Sequence, residues 1–326
     1  MNFQMPRNPN KQPASALQSQ SVRIETVTEN HLDQRIDNFL HAQLKGVPKS
    51  RIYRLLRKGE VRVNKGRVKP EYRLQVGDQV RIPPLRMSDD RDNALPSQSL
   101  RKLLASAILY EDDALLVLNK PAGLAVHGGS GFDLGAIEAL RAMYPQQSYL
   151  ELVHRIDRGT SGCLLVAKKR SILRHLQQEL REGKTHKRYL ALVQGSWNKN
   201  RKTVSAPLKR NPPDTGERFV RVSKDGKESI THFEVQQKFT AATLLAVTLE
   251  TGRTHQIRVH CQFSGHPLAG DEKYGDVAFN QAMRAKGLKR MFLHAWQIEF
   301  ASPDGQWWQF EAPLPTELQD FLRELD

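Results

Sequence analysis

Cysteine is almost absent from this chain: Cys163 and Cys261 are the two in 326 residues. Neither has the spacing of a disulfide framework or a Cys/His zinc site, so a reducing, cytoplasmic compartment is expected. Long apolar runs are missing as well. No stretch approaches the roughly 20 residues that a membrane-spanning helix needs, and the opening segment MNFQMPRNPNKQPASALQSQ has no apolar core for a signal peptide. No membrane partner is therefore expected. Acids are in deficit, 35 Asp and Glu against 50 Lys and Arg, which gives a formal net charge of +15. A basic excess of this size attracts polyanions by neutralising phosphates and releasing counterions, but it also serves plain solubility. Where the charge sits has to decide between the two.

The signatures of metal and nucleotide chemistry are also missing. His127, His154, His255, His260 and His266 are candidates for metal ligation, yet no HExxH or Cys/His ligand spacing occurs and acids near them are few. The segment His127-Gly128-Gly129-Ser130-Gly131 lacks the Lys-Ser/Thr that completes a phosphate-binding P-loop. Neither a metal nor a cofactor is expected. Cys163, next to Leu164-Leu165-Val166, reads as a small buried hydrophobe rather than a nucleophile.

What is present suggests two domains, for which 326 residues are sufficient. Residues 1–21, rich in Asn, Gln, Ser and Pro, are expected to form a disordered tail. Over residues 22–84 the pattern predicts a helix from Asp33 to Leu44, with Ile36, Phe39, Leu40 and Leu44 on one face. A second helix is predicted from Ser50 to Lys58, with Ser50 as its N-cap and Gly59 as its stop. The short strand Val61-Arg62-Val63, a turn at Asn64-Lys65-Gly66 and the strand Gln79–Ile82 follow. Between Lys45 and Arg73 there are eleven Lys and Arg but only two acids, Glu60 and Glu71. An ordinary solvated helix face would carry acids at i±4 to relieve that repulsion, so RNA contact is the favoured reading of this cluster. The segments QRIDNFL and KSRIYRLLRKGEVRVNKGRV resemble the S4 RNA-binding domain. The resemblance makes Lys49, Arg51, Arg54, Arg57, Lys58, Arg62 and Lys65 the expected RNA-binding residues.

Residues 85–106 lose periodicity and read as a linker. From 107 to 326, strand-like runs (Leu115–Leu118, Leu164–Ala167, Tyr189–Val193, Leu244–Leu249, Phe292–Phe300) outnumber helical ones (Gly135–Tyr144, Ser171–Arg181, Thr254–Ser264). The expected fold class is α+β, with a mixed, mainly antiparallel sheet flanked by helices.

Three segments carry candidate chemistry. In His154-Arg155-Ile156-Asp157-Arg158-Gly159-Thr160-Ser161-Gly162, cations flank Asp157 and keep it ionised, as a nucleophile or base requires. A turn whose Asp and Ser only cap backbone groups is the alternative. In Thr251-Gly252-Arg253-Thr254-His255-Gln256-Ile257-Arg258, a helix is predicted to begin near Thr254. Arg253 at its N-terminus is electrostatically misplaced unless it meets an anion; an Arg pointing into solvent is the alternative. Tyr189, beside Lys187 and Arg188, suits base stacking, although a core tyrosine at the start of a strand is the commoner explanation of such a residue taken alone.

Read together, LYEDDALLVLNKPAGLAVH, ELVHRIDRGTSGCLLVAKK, KRYLALV and TGRTHQIRVHCQFSGHPLAGDEKYG resemble the successive motifs of the RluA-type pseudouridine synthases, in order, over nearly all of residues 107–312. The HRID loop and RTHQIRVH separate that branch from the small-subunit synthases that also carry an S4 domain. Gly159 departs from the acid that many members place there. The resemblance implies a pseudouridine synthase fold and a cofactor-free isomerase that breaks the N1–C1′ bond of uridine, turns the base and rejoins it through C5. It assigns Asp157 as catalytic aspartate, Tyr189 as stacking on the target base, Arg253 as pairing with the aspartate and Ile257 as the apolar wall, with Arg155 and Thr160 supporting the loop. It further implies 23S rRNA or a large-subunit assembly intermediate as partner, and a monomer. A non-catalytic S4-type RNA chaperone and a tRNA-directed synthase of the same family are the alternatives. Attack of Asp157 on C1′ and proton abstraction leading to a glycal both remain open.

Overall fold

The computed structural model describes residues 22–44, 47, 49–84, 96–128, 134–200, 202–211 and 219–325. The expected disordered tail, residues 1–21, lies outside the described residues, as do residues 85–95 of the expected linker. The chain divides into two compact units, residues 1–92 and 93–326.

In the first unit, β1 (Arg23–Thr26), α1 (Ile36–Gln43), α2 (Lys49–Lys58), β2 (Arg62–Val63) and β3 (Gln79–Ile82) follow one another, and the strands form an antiparallel sheet in the order β1-β3-β2. The apolar residues of α2, Ile52, Leu55 and Leu56, fall at i, i+3 and i+4 and are buried against Ile36, Phe39, Leu40, Val63 and Val80. Arg54, Arg57 and Lys58 are left on the exposed side. Helix α2 begins at Lys49, so Ser50 lies within its first turn instead of capping it. Gly59 ends the helix at φ 70°, and Asn64 and Lys65 both have positive φ, as a tight hairpin turn with right-handed strand twist requires.

The second unit opens with α3 (Gln98–Ser106), β4 (Ile108–Glu111), β5 (Leu115–Lys120), α4 (Ala136–Met143), β6 (Glu151–Leu152), β7 (Ser161–Ala167), α5 (Arg170–Arg181) and β8 (His186–Gln194). It continues with β9 (Thr203–Ser205), β10 (Leu208–Arg210), β11 (Val220–Val222), β12 (Ile230–Lys238), β13 (Ala242–Leu249), α6 (Gln256–Phe263), α7 (Val277–Ala285), β14 (Leu293–Ala301), β15 (Trp307–Glu311) and α8 (Thr316–Arg323). Ten of these strands form one sheet, β4-β5-β7-β14-β8-β13-β12-β9, with β15 paired to β14 and β6 to β7. Only the β7–β14 pairing is parallel among the described residues, which matches the expected mixed, mainly antiparallel sheet.

Helix α3 corrects the expected linker. Ser97 caps it by accepting from Leu100 N at 3.2 Å, and Leu104 is fully buried in the main core with Leu116, Leu118 and Leu140. Its short apolar pattern, Leu100, Leu103 and Leu104, is hidden in the sequence by the polar stretch before it. Both sheet faces are covered. One packs on α4 and the apolar side of α6; the other packs Val117 and Leu165 on Leu176 of α5. Strands β5 and β7 therefore read as continuous apolar runs with no alternation.

Gly162 permits the parallel junction. It sits at φ 111°, and a Cβ there would overlap the carbonyl of Ala295 on β14. Gly162→Ala is expected to destabilise the second unit by about 2–4 kcal/mol, through backbone strain and a clash that a packed sheet cannot relieve. Urea unfolding of the variant beside wild type measures the loss, and an unchanged midpoint contradicts the account.

Candidate active site

A cleft of about 500 Å³ opens where the loop between β6 and β7, the start of β8 and the segment from the end of β13 into α6 meet. That volume lies within the roughly 300–1,000 Å³ usual for small-molecule sites, so it suits one extruded nucleotide rather than a duplex. Asp157, Arg155, Thr160, Tyr189, Arg253 and Ile257 all line it. All the residues that the sequence nominated for chemistry are therefore brought together.

The β6–β7 loop is fixed from beneath. Thr160 is buried and its N–H donates to the Asp157 carbonyl at 3.1 Å, which closes a turn around the aspartate. Lys120, the last residue of β5, is fully buried, and its Nζ donates to the carbonyls of Pro121 (2.7 Å), Leu124 (2.8 Å) and Arg158 (3.3 Å). Three acceptors match the three N–H bonds of an ammonium, although burial and then the Arg290 charge pull its pKa down to about 7. Gly123 and Arg158 tie the same loops twice more: the Gly123 N–H donates to the Arg158 carbonyl, and Arg158 Nε donates to the Gly123 carbonyl, each at 2.8 Å. The sequence reading missed Lys120. Its signal was a lysine ending an otherwise apolar strand, a position where a charge has to be satisfied internally.

The counter-charge of Asp157 is Arg258, which corrects the expected pairing with Arg253. Arg258 Nη1 donates to Asp157 Oδ2 at 3.2 Å, while its Nε and Nη2 bind Asp271 Oδ2 and Oδ1 at 2.7 and 2.8 Å. Arg253 is exposed, and its Nε donates to the Glu228 carbonyl at 3.1 Å. Helix α6 starts at Gln256, later than predicted, so Arg253 lies outside it while Arg258 occupies its first turn and reaches inward. Gln256 organises the entry: its Oε1 accepts from Arg253 N (2.9 Å) and Thr251 Oγ1 (2.9 Å), and its Nε2 donates to the Ile230 carbonyl (3.0 Å).

Asp271 is the buried member of this arrangement, with a side chain that is 0% exposed. Burial alone would raise its pKa. The hydrogen bonds and charge of Arg258, together with the N–H groups of Tyr274 and Lys273, outweigh burial and hold it below the ordinary value of 3.8. The Arg258 guanidinium also lies 4.9 Å from the Tyr274 ring centroid.

Strand alternation at the start of β8 sorts the KRY segment. Lys187 and Tyr189, two apart, line the cleft, while Arg188 lies over Trp296, at 5.0 Å, and donates to Gln297. Tyr189 is buried, and that burial, followed by the charge of Asp157, pushes its phenol up, so it stays protonated. Burial lowers the Lys187 ammonium. Arg155, Arg181, Lys187 and Arg253 line the cleft, and among the described residues none of them is ion-paired. An apolar wall (Ile257), an aromatic, a tethered carboxylate and cations without ion pairs among the described residues suit a flat base attached to a phosphodiester. Cys163 takes no part. It is buried, and burial raises its thiol to about 12.

This chain belongs to the RNA pseudouridylate synthase family, whose profile matches residues 114–263, and the S4 domain profile matches residues 34–80. Ribosomal large subunit pseudouridine synthase C of Pasteurella multocida is 55% identical over 94% of this chain and 95% of the relative. The enzymes of that name from Salmonella typhimurium and Escherichia coli K12 are 56% and 55% identical, each over 94% of this chain and 97% of the relative. Among solved structures, human RNA pseudouridylate synthase domain containing 4 matches with a TM-score of 0.55 at 26% identity, over 70% of this chain and 95% of that one. Human RNA pseudouridylate synthase domain containing 1 gives a TM-score of 0.55 at 28% identity, over 64% and 83%. The activity is thus an isomerisation within RNA, and the first unit is an S4 domain.

Asp271→Asn should cost about 3–5 kcal/mol at neutral pH, because it leaves Arg258 short of its bidentate partner in a dry setting. The folded pKa of Asp271 lies below its unfolded one, so this stabilisation is complete above 3.8 and is lost as pH falls through the depressed folded value. The gap between wild type and variant should therefore narrow between pH 7 and about pH 3. Denaturant melts at both pH values measure it, and a gap that widens on acidification contradicts the assignment.

Proposed function

We propose that this protein converts uridines of large-subunit ribosomal RNA to pseudouridine, with Asp157 as the reacting carboxylate and Arg258 as its fixed counter-charge. The observation that carries the reading is the carboxylate itself. It is tethered through one oxygen at the floor of a nucleotide-sized cleft, with Tyr189 and Ile257 on the walls. The relatives at 54–56% identity act, by their names, on the ribosomal large subunit.

The target uridine leaves its stack, at a cost of a few kcal/mol, and enters between Tyr189 and Ile257. Lys187 and Arg155 take the flanking phosphates. Asp157, hydrogen-bonded to Arg258, acts at the sugar, either on C1′ as a nucleophile or as a base. The N1–C1′ bond breaks, the uracil turns within the cleft, and C5 bonds to C1′. The proton leaves C5 and N1 gains one, so no oxidant, water or cofactor is consumed. Arg253, at the rim, serves RNA contact rather than the aspartate.

The S4 domain supplies affinity. Arg54, Arg57, Lys58, Arg62 and Lys65 are exposed, and among the described residues none is ion-paired; Arg51 is half-buried, and Lys49 starts α2. The protein acts as a cytoplasmic monomer in this reading. No helix of the described residues is long and apolar enough to cross a membrane.

Asp157→Asn should fold and bind RNA nearly as wild type yet form no pseudouridine, because an amide is neither an anionic nucleophile nor a base. Melting temperature, affinity and pseudouridine yield from a single preparation test this, and a folded variant with near wild-type turnover refutes it. Replacing Arg54, Arg57 and Lys58 together with Ala should weaken binding to ribosomal RNA and flatten the slope of log affinity against log salt by about 2–3. An unchanged slope removes α2 from the RNA interface.

A further inference from the structure

Among the described residues of the second unit, His255 alone of the non-glycine residues has a positive φ, at φ 55° and ψ 21°. Side chains disfavour this left-handed conformation, and it persists where the surrounding structure fixes it. Here it is fixed at the entry to α6, between Thr254 and Gln256, and the imidazole lines the cleft.

The two ring nitrogens of His255 have different partners. Nδ1 lies 2.9 Å from the Tyr274 hydroxyl, and Nε2 lies 3.9 Å from Asp157 Oδ2. Tyr274 determines which nitrogen carries the proton. Its hydroxyl already accepts from Val220 N–H at 3.0 Å, so its single proton is left to donate, and His255 Nδ1 is the acceptor at hydrogen-bond distance. Burial raises the pKa of Tyr274, so that proton is retained. Nδ1 is thus an acceptor, and a neutral imidazole holds its hydrogen on Nε2, facing Asp157. Neutrality has a physical basis. Burial lowers the pKa of His255, and Arg258 and Lys273 lower it further against the opposing pull of Asp157 and Asp271.

Arg258 Nη1 and His255 Nε2 both address Oδ2 of Asp157, and among the described residues no donor is bonded to Oδ1. The two oxygens are therefore unequal, one held and one free for the substrate. The charges of Asp157, Arg258 and Asp271 sum to −1, and a neutral donor steadies the carboxylate without cancelling that charge as a second cation would. Catalytic hydrogen bonds are often long before substrate binds and close on binding.

We propose that His255 is a positioning residue for Asp157. With its tautomer set by Tyr274, it closes its Nε2–H onto Oδ2 when the uridine fills the cleft, so that Oδ1 is presented to the reacting sugar. This rests on the reading of Asp157 as the reacting carboxylate.

His255→Asn and His255→Gln separate this role from a structural one. Asparagine accepts the left-handed conformation and can keep the Tyr274 contact, but it lacks a donor at the Nε2 position; glutamine places an amide N–H near that position. Activity is measured on a large-subunit ribosomal RNA fragment, per folded molecule, with Asp157→Asn in parallel. His255→Asn should lower kcat about tenfold or more while KM moves less than about twofold, and His255→Gln should recover kcat to within about threefold of wild type. A purely structural His255 gives the opposite order, with asparagine the better replacement, and that result overturns the proposal. So does equal loss in both variants. Normal turnover by His255→Asn alongside an inactive Asp157→Asn overturns this proposal alone, whereas an active Asp157→Asn overturns the reading beneath it as well. If the His255 variants fail to fold, Tyr274→Phe decides. It keeps the ring that packs on Arg258 but frees the tautomer, so a lower kcat at constant KM supports the proposal and an unchanged kcat overturns it.

Discussion

A guanidinium shared between two carboxylates organises the candidate active site. Arg258 gives Asp271 two hydrogen bonds and Asp157 one, and the difference follows from their surroundings. Asp271 is wholly enclosed and accepts further N–H bonds from Lys273 and Tyr274, so it is the structural anchor. Asp157 is partly open to the cleft and keeps one oxygen uncommitted. The divided arrangement holds the cation in place through Asp271 and engages Asp157 through one oxygen alone.

The fold brings these three residues together from distant parts of the chain. Asp157 comes from the β6–β7 loop, Arg258 from the first turn of α6, and Asp271 from the segment leading to α7. Central strands that are apolar on both faces make a stiff base, and the parallel β7–β14 contact, which only a glycine at 162 accommodates, sets where the loop begins. Precision at the carboxylate is thus inherited from the sheet and does not depend on the loop's own preferences.

How much of this could be read in the sequence depended on whether the signal was local. The basic face of α2 was legible because helical periodicity and a lack of acids are properties of ten consecutive residues. The mixed sheet was legible from apolar runs, and the loop that carries Asp157 into the cleft was marked by charges between two of them. Arg253 and Arg258 were not separable. Both are arginines of one motif, and only the late start of α6, enforced by His255 and Gln256, directs the second inward and leaves the first at the rim. Asp271 and Lys120 were missed because a charge is ordinarily a surface signal, and only tertiary structure reveals that partners wait inside. Helices α3, α7 and α8 are short and flanked by polar residues, so their few apolar positions did not stand out.

The same contrast explains how a strongly basic protein keeps an anionic centre. Arg54, Arg57 and Lys58 are exposed on α2 of the S4 domain, and Arg155, Arg181, Lys187 and Arg253 line the cleft. Two cations serve the interior: fully buried Lys120 satisfies three loop carbonyls, and half-buried Arg258 is divided between two acids. Arg155, Lys187 and Arg253 line the cleft apart from Arg258, whose guanidinium is kept in place by the bidentate bond to enclosed Asp271 and by the Tyr274 ring. In the function proposed above, binding and chemistry thus draw on separate sets of cations. On that proposal, a substrate made of phosphodiesters is held tightly without drawing the counter-charge away from Asp157.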